Sequence, residues 1–96
     1  MASTVSVVFC SWHPNKIVKT KLNNSEAITT DGSAQTASNI GESGDDCVEV
    51  ATSGGAIWVT LDGTDPEAGV GFYLPDGTTR TFDAGPGTVV KVLGDA

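Results

Sequence analysis

A series of short β-branched segments separated by turn residues constrains the fold more than any other feature of the sequence. After residue 46 the segments are Cys47–Ala51, Ala56–Leu61, Val70–Leu74, Thr78–Phe82 and Thr88–Leu93. The turns between them carry the residues that reverse a chain, as in Ser53-Gly54-Gly55 and Pro75-Asp76-Gly77. Short strands at this spacing are typical of antiparallel hairpins in a small sandwich or barrel.

The first half of the chain gives a weaker version of the same pattern. Thr4–Trp12 alternates apolar and smaller residues and ends at Pro14, and two shorter strands are predicted at Lys16–Leu22 and Glu26–Thr30. Residues 31–46 offer almost nothing to bury, which favours an extended arm or an edge strand. We therefore take 47–96 as a strand-turn scaffold and 22–46 as an extended arm or loop.

The composition agrees with an all-β chain. Eleven Val and twelve Thr stand against four Leu and one Met, and β-branched residues suit a pleated surface better than a helix. No window repeats apolar residues with helical spacing over three turns. We predict one domain over residues 1–96, an antiparallel β-sandwich or β-barrel of about seven to nine strands with no significant helix.

The charge distribution excludes some partners. The net charge is −7, and residues 42–96 carry ten acids against one lysine and one arginine. Nucleic acid binding needs a basic surface, so we expect no nucleic acid partner. The apolar stretch Val5–Cys10 is too short to cross a membrane and lacks a basic leader, so we expect synthesis in the cytoplasm and no membrane contact.

Little in the sequence supports chemistry. His13 is the only histidine, and on a strand it points to the face opposite to Cys10, so the two residues do not form a catalytic pair. The acids of Asp62–Glu67 lack the EF-hand spacing, and the segment is explained as a turn. We expect no enzyme activity, metal or cofactor. Cys10 and Cys47 are interpreted as buried thiols, and they could form a disulfide if their strands are neighbours.

Three lysines form the first candidate contact surface. Lys16, Lys19 and Lys21 supply three of the five basic residues, and Lys19 and Lys21 share a strand face. Such a stripe either protects an edge strand from aggregation or docks on an acidic protein surface.

Three aromatic residues form the second candidate surface. Trp12, Trp58 and Tyr73 belong to the residue types that anchor protein interfaces, although a small sandwich also needs large residues in its core. On its strand, Trp58 is expected on the face opposite to Ile57, Val59 and Leu61.

The second half of the chain also resembles a known group of proteins. Its marks are Ala56–Leu61, then Phe72-Tyr73-Leu74-Pro75-Asp76-Gly77 with Arg80 and Phe82 after it, and finally Ala84–Gly87 and Val89–Gly94. They resemble small all-β virion proteins of tailed bacteriophages, encoded near the major capsid protein. In that group a strand ending in an L-P-x-G turn, followed by an arginine and an aromatic residue, recurs.

The resemblance implies a structural role on the capsid exterior. It suggests a decoration or cement protein that binds the major capsid protein lattice as a homo-oligomer, with a trimer favoured. The alternatives are another virion component, such as a tail tube, tail tip or head-fibre base, and a small carbohydrate- or receptor-binding β module.

Overall fold

The fold consists of nine strands among the residues that the structure describes. This computed structural model describes residues 3–13, 16–18, 25–41 and 46–94, with backbone alone for 11–13 and 16–18. The strands are β1 (Thr4–His13), β2 (Lys16–Val18), β3 (Ser25–Thr29), β4 (Gln35–Ile40), β5 (Cys47–Ser53), β6 (Ile57–Thr60), β7 (Phe72–Leu74), β8 (Thr79–Asp83) and β9 (Val89–Gly94).

The strands form two antiparallel sheets that pack as a sandwich. The first sheet has the order β2-β1-β5-β8, and β3 pairs with the other part of β1. The second sheet has the order β4-β9-β6-β7. The all-β sandwich expected from the turn spacing is confirmed, and the described residues contain no helix. In particular, no helix long and apolar enough to cross a membrane occurs among them.

The core follows from alternation along the central strands. Val5, Val7 and Phe9 of β1 belong to one core cluster with Val90 and Val92 of β9 in the other sheet, and all five are completely buried. β5 and β6 behave as predicted, because Val48, Val50, Ile57 and Val59 are also completely buried. A side-chain period of two places alternate residues on one face, which explains why these positions could be identified from sequence.

Glu26 ties the two sheets together at one open side of the sandwich. This side is formed by β3 of the first sheet and β4 of the second. The Glu26 carboxylate accepts hydrogen bonds from the backbone N–H groups of Ser38 (3.0 Å) and Asn39 (2.7 Å). These donors lie where the pairing of β4 with β9 is irregular, so the carboxylate satisfies edge groups that the ladder leaves without a strand partner.

Ser3 and Thr30 close one end of the sandwich. Both residues are buried, and the Ser3 N–H donates to Thr30 Oγ1 while the Thr30 N–H donates to the Ser3 carbonyl, each at 2.9 Å. Gly94 passes so close that a β-carbon there would lie 2.8 Å from Thr30 Oγ1. These polar contacts are satisfied within the fold and do not point to a binding site.

The segment 22–46 contributes edge strands over its described residues. We expected a short strand at Glu26–Thr30 within an arm or loop, with an edge strand as the alternative for 31–46, and the structure places β3 and β4 in this segment. Gln35–Ile40 pairs with β9 although only Ala37 of β4 is buried. Backbone hydrogen bonding to a neighbouring strand orders this polar sequence, and such pairing leaves no hydrophobic signal. Of the predicted strand Lys16–Leu22, residues 16–18 form β2, and 19–22 lie outside the described residues.

Candidate binding surface

The large apolar side chains that remain exposed concentrate at β7. Val70, Phe72 and Tyr73 expose 40%, 44% and 44% of their surface. Ile40 on β4 is exposed as well, but it belongs to the opposite edge strand of the second sheet. We call the group formed by Trp58, Phe72, Tyr73, Arg80 and Phe82 the aromatic edge. Clustered apolar exposure of this kind is typical of an interaction surface.

Trp58 and Tyr73 form the outer half of the aromatic edge. They are directly opposed in the β6–β7 pair, and their ring centroids lie 5.0 Å apart at an interplanar angle of 56°. Leu93 of β9 opposes Trp58 on its other side and is half-buried. Because the neighbours of Trp58 point into the core, the indole must lie on the outer face. Trp58 is therefore a half-buried surface residue rather than a core residue.

Trp58 carries one polar group at the aromatic edge, its indole N–H. Its Nε1 atom is buried, and it donates to no group in the part of the chain that the structure describes. A buried donor without an acceptor costs about 1–3 kcal/mol. This cost is unusual for a residue on an outer face, where a small rearrangement normally exposes the donor to water.

Phe72, Arg80 and Phe82 form the inner half of the aromatic edge. They oppose core residues in their ladders, namely Val59, Val50 and Val48, so alternation directs all three toward the space between the sheets. The Phe72 and Phe82 ring centroids are 4.9 Å apart, and the Arg80 guanidinium carbon lies 5.3 and 5.1 Å from them. Since β7 and β8 are edge strands, the three side chains close this open side with a cation–π cluster.

An open hollow of about 250 Å³ adjoins Phe72. Its walls come from the end of β6 and from the segment before β7: Val59, Thr60, Leu61, Asp62, Thr64, Val70, Gly71 and Phe72. Gly71 has φ +114°, and a β-carbon there would lie 2.6 Å from the Val59 carbonyl oxygen. Only glycine lets the chain pass this close to β6, so the hollow depends on that residue.

The loop between β6 and β7 is held by polar contacts within the loop and to β9. The Thr64 N–H donates to Asp62 Oδ1 at 3.0 Å, and the Lys91 ammonium pairs with Asp65 at 2.8 Å. The hydrogen bonds from the Thr64 N–H and hydroxyl hold the pKa of the Asp62 carboxyl below its usual value of 3.8. Two of the three acids in the predicted turn at Asp62–Glu67 are thus engaged, Asp62 with Thr64 and Asp65 with Lys91 of β9.

The structure brings together two of the six predicted contact residues. Trp58 and Tyr73 touch. Trp12 and Lys16 lie on β1 and β2 of the other sheet, where backbone alone is described, and Lys19 and Lys21 fall outside the described residues. The lysine stripe therefore stays a prediction, and the aromatic edge is the candidate surface that the described residues form.

Sequence reasoning missed Phe72 and Arg80 as surface residues. Phe72 has a core-facing position, and its exposure arises because β7 is the last strand of its sheet. The adjacent pair Phe72-Tyr73 was the available signal, since two large aromatics in succession must point to opposite faces.

Groups suited to metal binding are not found in residues 3–13, 16–18, 25–41 and 46–94, where no three His, Cys, Asp or Glu side chains come together. Cys10 and Cys47 are both buried thiols at directly opposed positions of β1 and β5.

Protein-family models, curated protein sequences and solved structures were compared with the chain, and none of them matches it.

Proposed function

We propose that this chain is a structural virion protein of a tailed bacteriophage that decorates the capsid by binding the major capsid protein lattice. The proposal joins the sequence resemblance of residues 47–96 to the exposed aromatic edge. A decoration protein requires a rigid module and a contact surface, and the sandwich with its aromatic edge fits that requirement. It would act outside the capsid, with no nucleic acid or membrane partner.

The aromatic edge is the observation that carries the proposal. Tyr73 and Phe72 are each 44% exposed yet held by neighbouring rings, so binding would immobilise little additional side-chain freedom. Preorganised aromatic anchors give affinity at a low entropic cost, and Tyr, Trp and Arg are the usual hot-spot residues. The Trp58 N–H, which donates to no described residue, adds a donor that a partner carbonyl could satisfy once a small side-chain rearrangement exposes it.

Symmetric self-association is part of the proposal. Decoration proteins act at many equivalent lattice positions, where modest contacts per copy are multiplied by neighbouring copies. A trimer is the form that we favour. β4 and β7, the edge strands of the second sheet, both expose large apolar side chains, Ile40 on one and Phe72 on the other.

A glycan-binding module is the second candidate, because an exposed Trp–Tyr pair is also found in sugar sites. A flat sugar platform needs ring faces open to the ligand. In this chain the two rings are inclined at 56° and Trp58 is half-buried. This geometry is better suited to anchoring in a protein pocket than to stacking on a sugar.

The proposal is tested by determining whether a major capsid protein is encoded near the gene of this chain, and by co-sedimentation of the purified chain with expanded capsids assembled from that protein. We expect saturable binding, at least tenfold weaker for Tyr73→Ala and unchanged for Thr81→Ala, an exposed position on the outer face of the first sheet. Absence of binding by the wild-type chain would reject the capsid role. Binding to a glycan array that is lost in Trp58→Ala would favour the second candidate, and labelling of tails in negative-stain images would assign another virion position.

A further inference from the structure

Cys10 and Cys47 are placed for a reaction that the binding function does not require. They are directly opposed in the β1–β5 pair, and their Sγ atoms are 2.8 Å apart. Both side chains are buried, with exposed fractions of 0% and 2%. A disulfide bond is about 2.05 Å long, so the two sulfurs need to approach by less than ~1 Å.

The position of the pair in the sheet is unusual. Alternation along β1 and β5 places both cysteines on the outer face of the first sheet, opposite to Phe9 and Val48, and neither belongs to the hydrophobic core cluster. The two cysteine side chains are therefore buried, but they lie outside the space between the sheets. Replacing thiols by a disulfide at this position would leave the packing of the core unchanged.

The pair also occupies the last rung of the β1–β5 ladder. The register runs from Thr4–Ser53 to Cys10–Cys47, and beyond it the Asp46 N–H donates to the Cys10 carbonyl. Ladder ends open more readily than ladder centres, because fewer contacts must break. Such opening gives a small oxidant access to thiols that are otherwise buried.

We propose that Cys10 and Cys47 form a redox pair that closes to an intramolecular disulfide by exchange with a small-molecule disulfide of the glutathione type. One cysteine, as thiolate, attacks the oxidised glutathione, forms a mixed disulfide and releases one glutathione thiolate. The second cysteine thiolate attacks the protein sulfur of that mixed disulfide and releases the other. The two thiol protons pass to the released thiolates, and the glutathione disulfide takes up the two electrons lost by the cysteines.

The product would be a covalent link between the two central strands of the first sheet. In a reducing cytoplasm the thiols persist, and after transfer to an oxidising medium the link forms. The inference holds for any binding partner, since it depends on β1 and β5 and not on the aromatic edge.

The test uses the whole chain, reduced, freed of reductant and incubated under native conditions with oxidised glutathione. Remaining thiols are then alkylated in denaturant, and intact mass and peptide mapping identify the products. We expect the loss of two hydrogen atoms, a Cys10–Cys47 linked peptide, a monomer on a non-reducing gel and a higher melting temperature. Recovery of both cysteines as alkylated thiols, retention of glutathione, or an intermolecular dimer would overturn the inference.

The variant Cys47→Ser distinguishes formation of the Cys10–Cys47 disulfide from reaction of a single accessible thiol with glutathione. It removes the second sulfur, so glutathione is expected to remain on Cys10 after the same treatment. Wild-type protein that carries the same stable adduct would show that the two sulfurs do not meet. If the variant fails to fold, the mass and peptide map of the wild-type chain still decide the question.

Discussion

Replacing Trp58 by phenylalanine tests whether the indole N–H lowers the free energy of unfolding of the isolated protein. The substitution keeps an aromatic ring opposite Tyr73 and replaces the bicyclic indole, which carries Nε1, by a smaller ring without a donor. Most reductions in the size of a packed aromatic residue destabilise a protein. In this case the group that is removed is a buried donor without an acceptor among the described residues, and its removal should stabilise the protein.

The magnitude follows from two opposing contributions. Removing the donor recovers about 1–3 kcal/mol, the usual cost of a buried polar group without a partner. The smaller ring buries roughly 30 Å² less apolar surface, which costs about 0.8 kcal/mol at about 25 cal/mol/Å². We expect the free energy of unfolding of Trp58→Phe to rise by about 1 kcal/mol, a melting temperature increase of roughly 4–8 °C for a chain of this size.

The assay is urea unfolding followed by far-ultraviolet circular dichroism, with Trp58→Ala as the matched control. The control loses the ring contact with Tyr73 as well as the burial, so its free energy of unfolding should fall by about 2 kcal/mol. If Trp58→Phe is instead less stable than wild type by more than about 1 kcal/mol, the indole N–H makes a hydrogen bond and the reasoning is wrong.

Three further predictions concern other contacts. Glu26→Gln should lower the free energy of unfolding by about 1 kcal/mol in the urea assay, because the amide oxygen can replace only one of the two carboxylate oxygens that accept the edge N–H bonds. The control is Glu67→Gln, which should leave the free energy of unfolding unchanged, since the Glu67 carboxylate is exposed and has no hydrogen bond to a described residue. The Asp62 carboxyl should titrate below 3.8 in carbon-detected NMR, so its stabilising contribution is present above the unfolded pKa and is lost as the pH falls through the lowered folded value; a midpoint at or above 3.8 would contradict the Thr64 contacts. Oxidation of Cys10 and Cys47, separated by 37 positions, should raise the free energy of unfolding by up to about 4 kcal/mol, and an unchanged melting temperature would argue against the link.

The two candidate surfaces suggest a division of roles that binding data can resolve. The aromatic edge lies on β6, β7 and β8, and the lysines belong to the region of β2 and the residues after it. On an acidic chain the lysine stripe would steer the approach of an acidic partner, while aromatic anchors would set the lifetime of the complex. The salt dependence of the rate at which the chain associates with the capsid would distinguish these contributions.

Alternation made much of the fold predictable. Val48 and Val50 on β5, and Ile57 and Val59 on β6, were assigned to one face because neighbouring residues on a strand point in opposite directions, and all four are buried. The same rule placed Trp58 on the opposite face, although core packing was the favoured interpretation of this residue and the structure leaves it half-buried at the surface. Proline, whose backbone is restricted, and glycine, whose backbone is unusually free, marked the ends of these strands. Their effect is local, so it can be identified from the sequence alone.

Tertiary pairing decided the features that carry the functional argument. The polar strand β4 exists because β9 offers its backbone groups, and hydrogen bonding to a distant strand leaves no mark in the residues themselves. Phe72 is exposed because β7 is the last strand of its sheet, and Cys10 meets Cys47 because β1 and β5 pair in one register. Sequence by itself determined which side chains share a face. Strand order and register depend on contacts between segments far apart in the chain. The order and register decided which of those faces is buried against the other sheet and which is exposed.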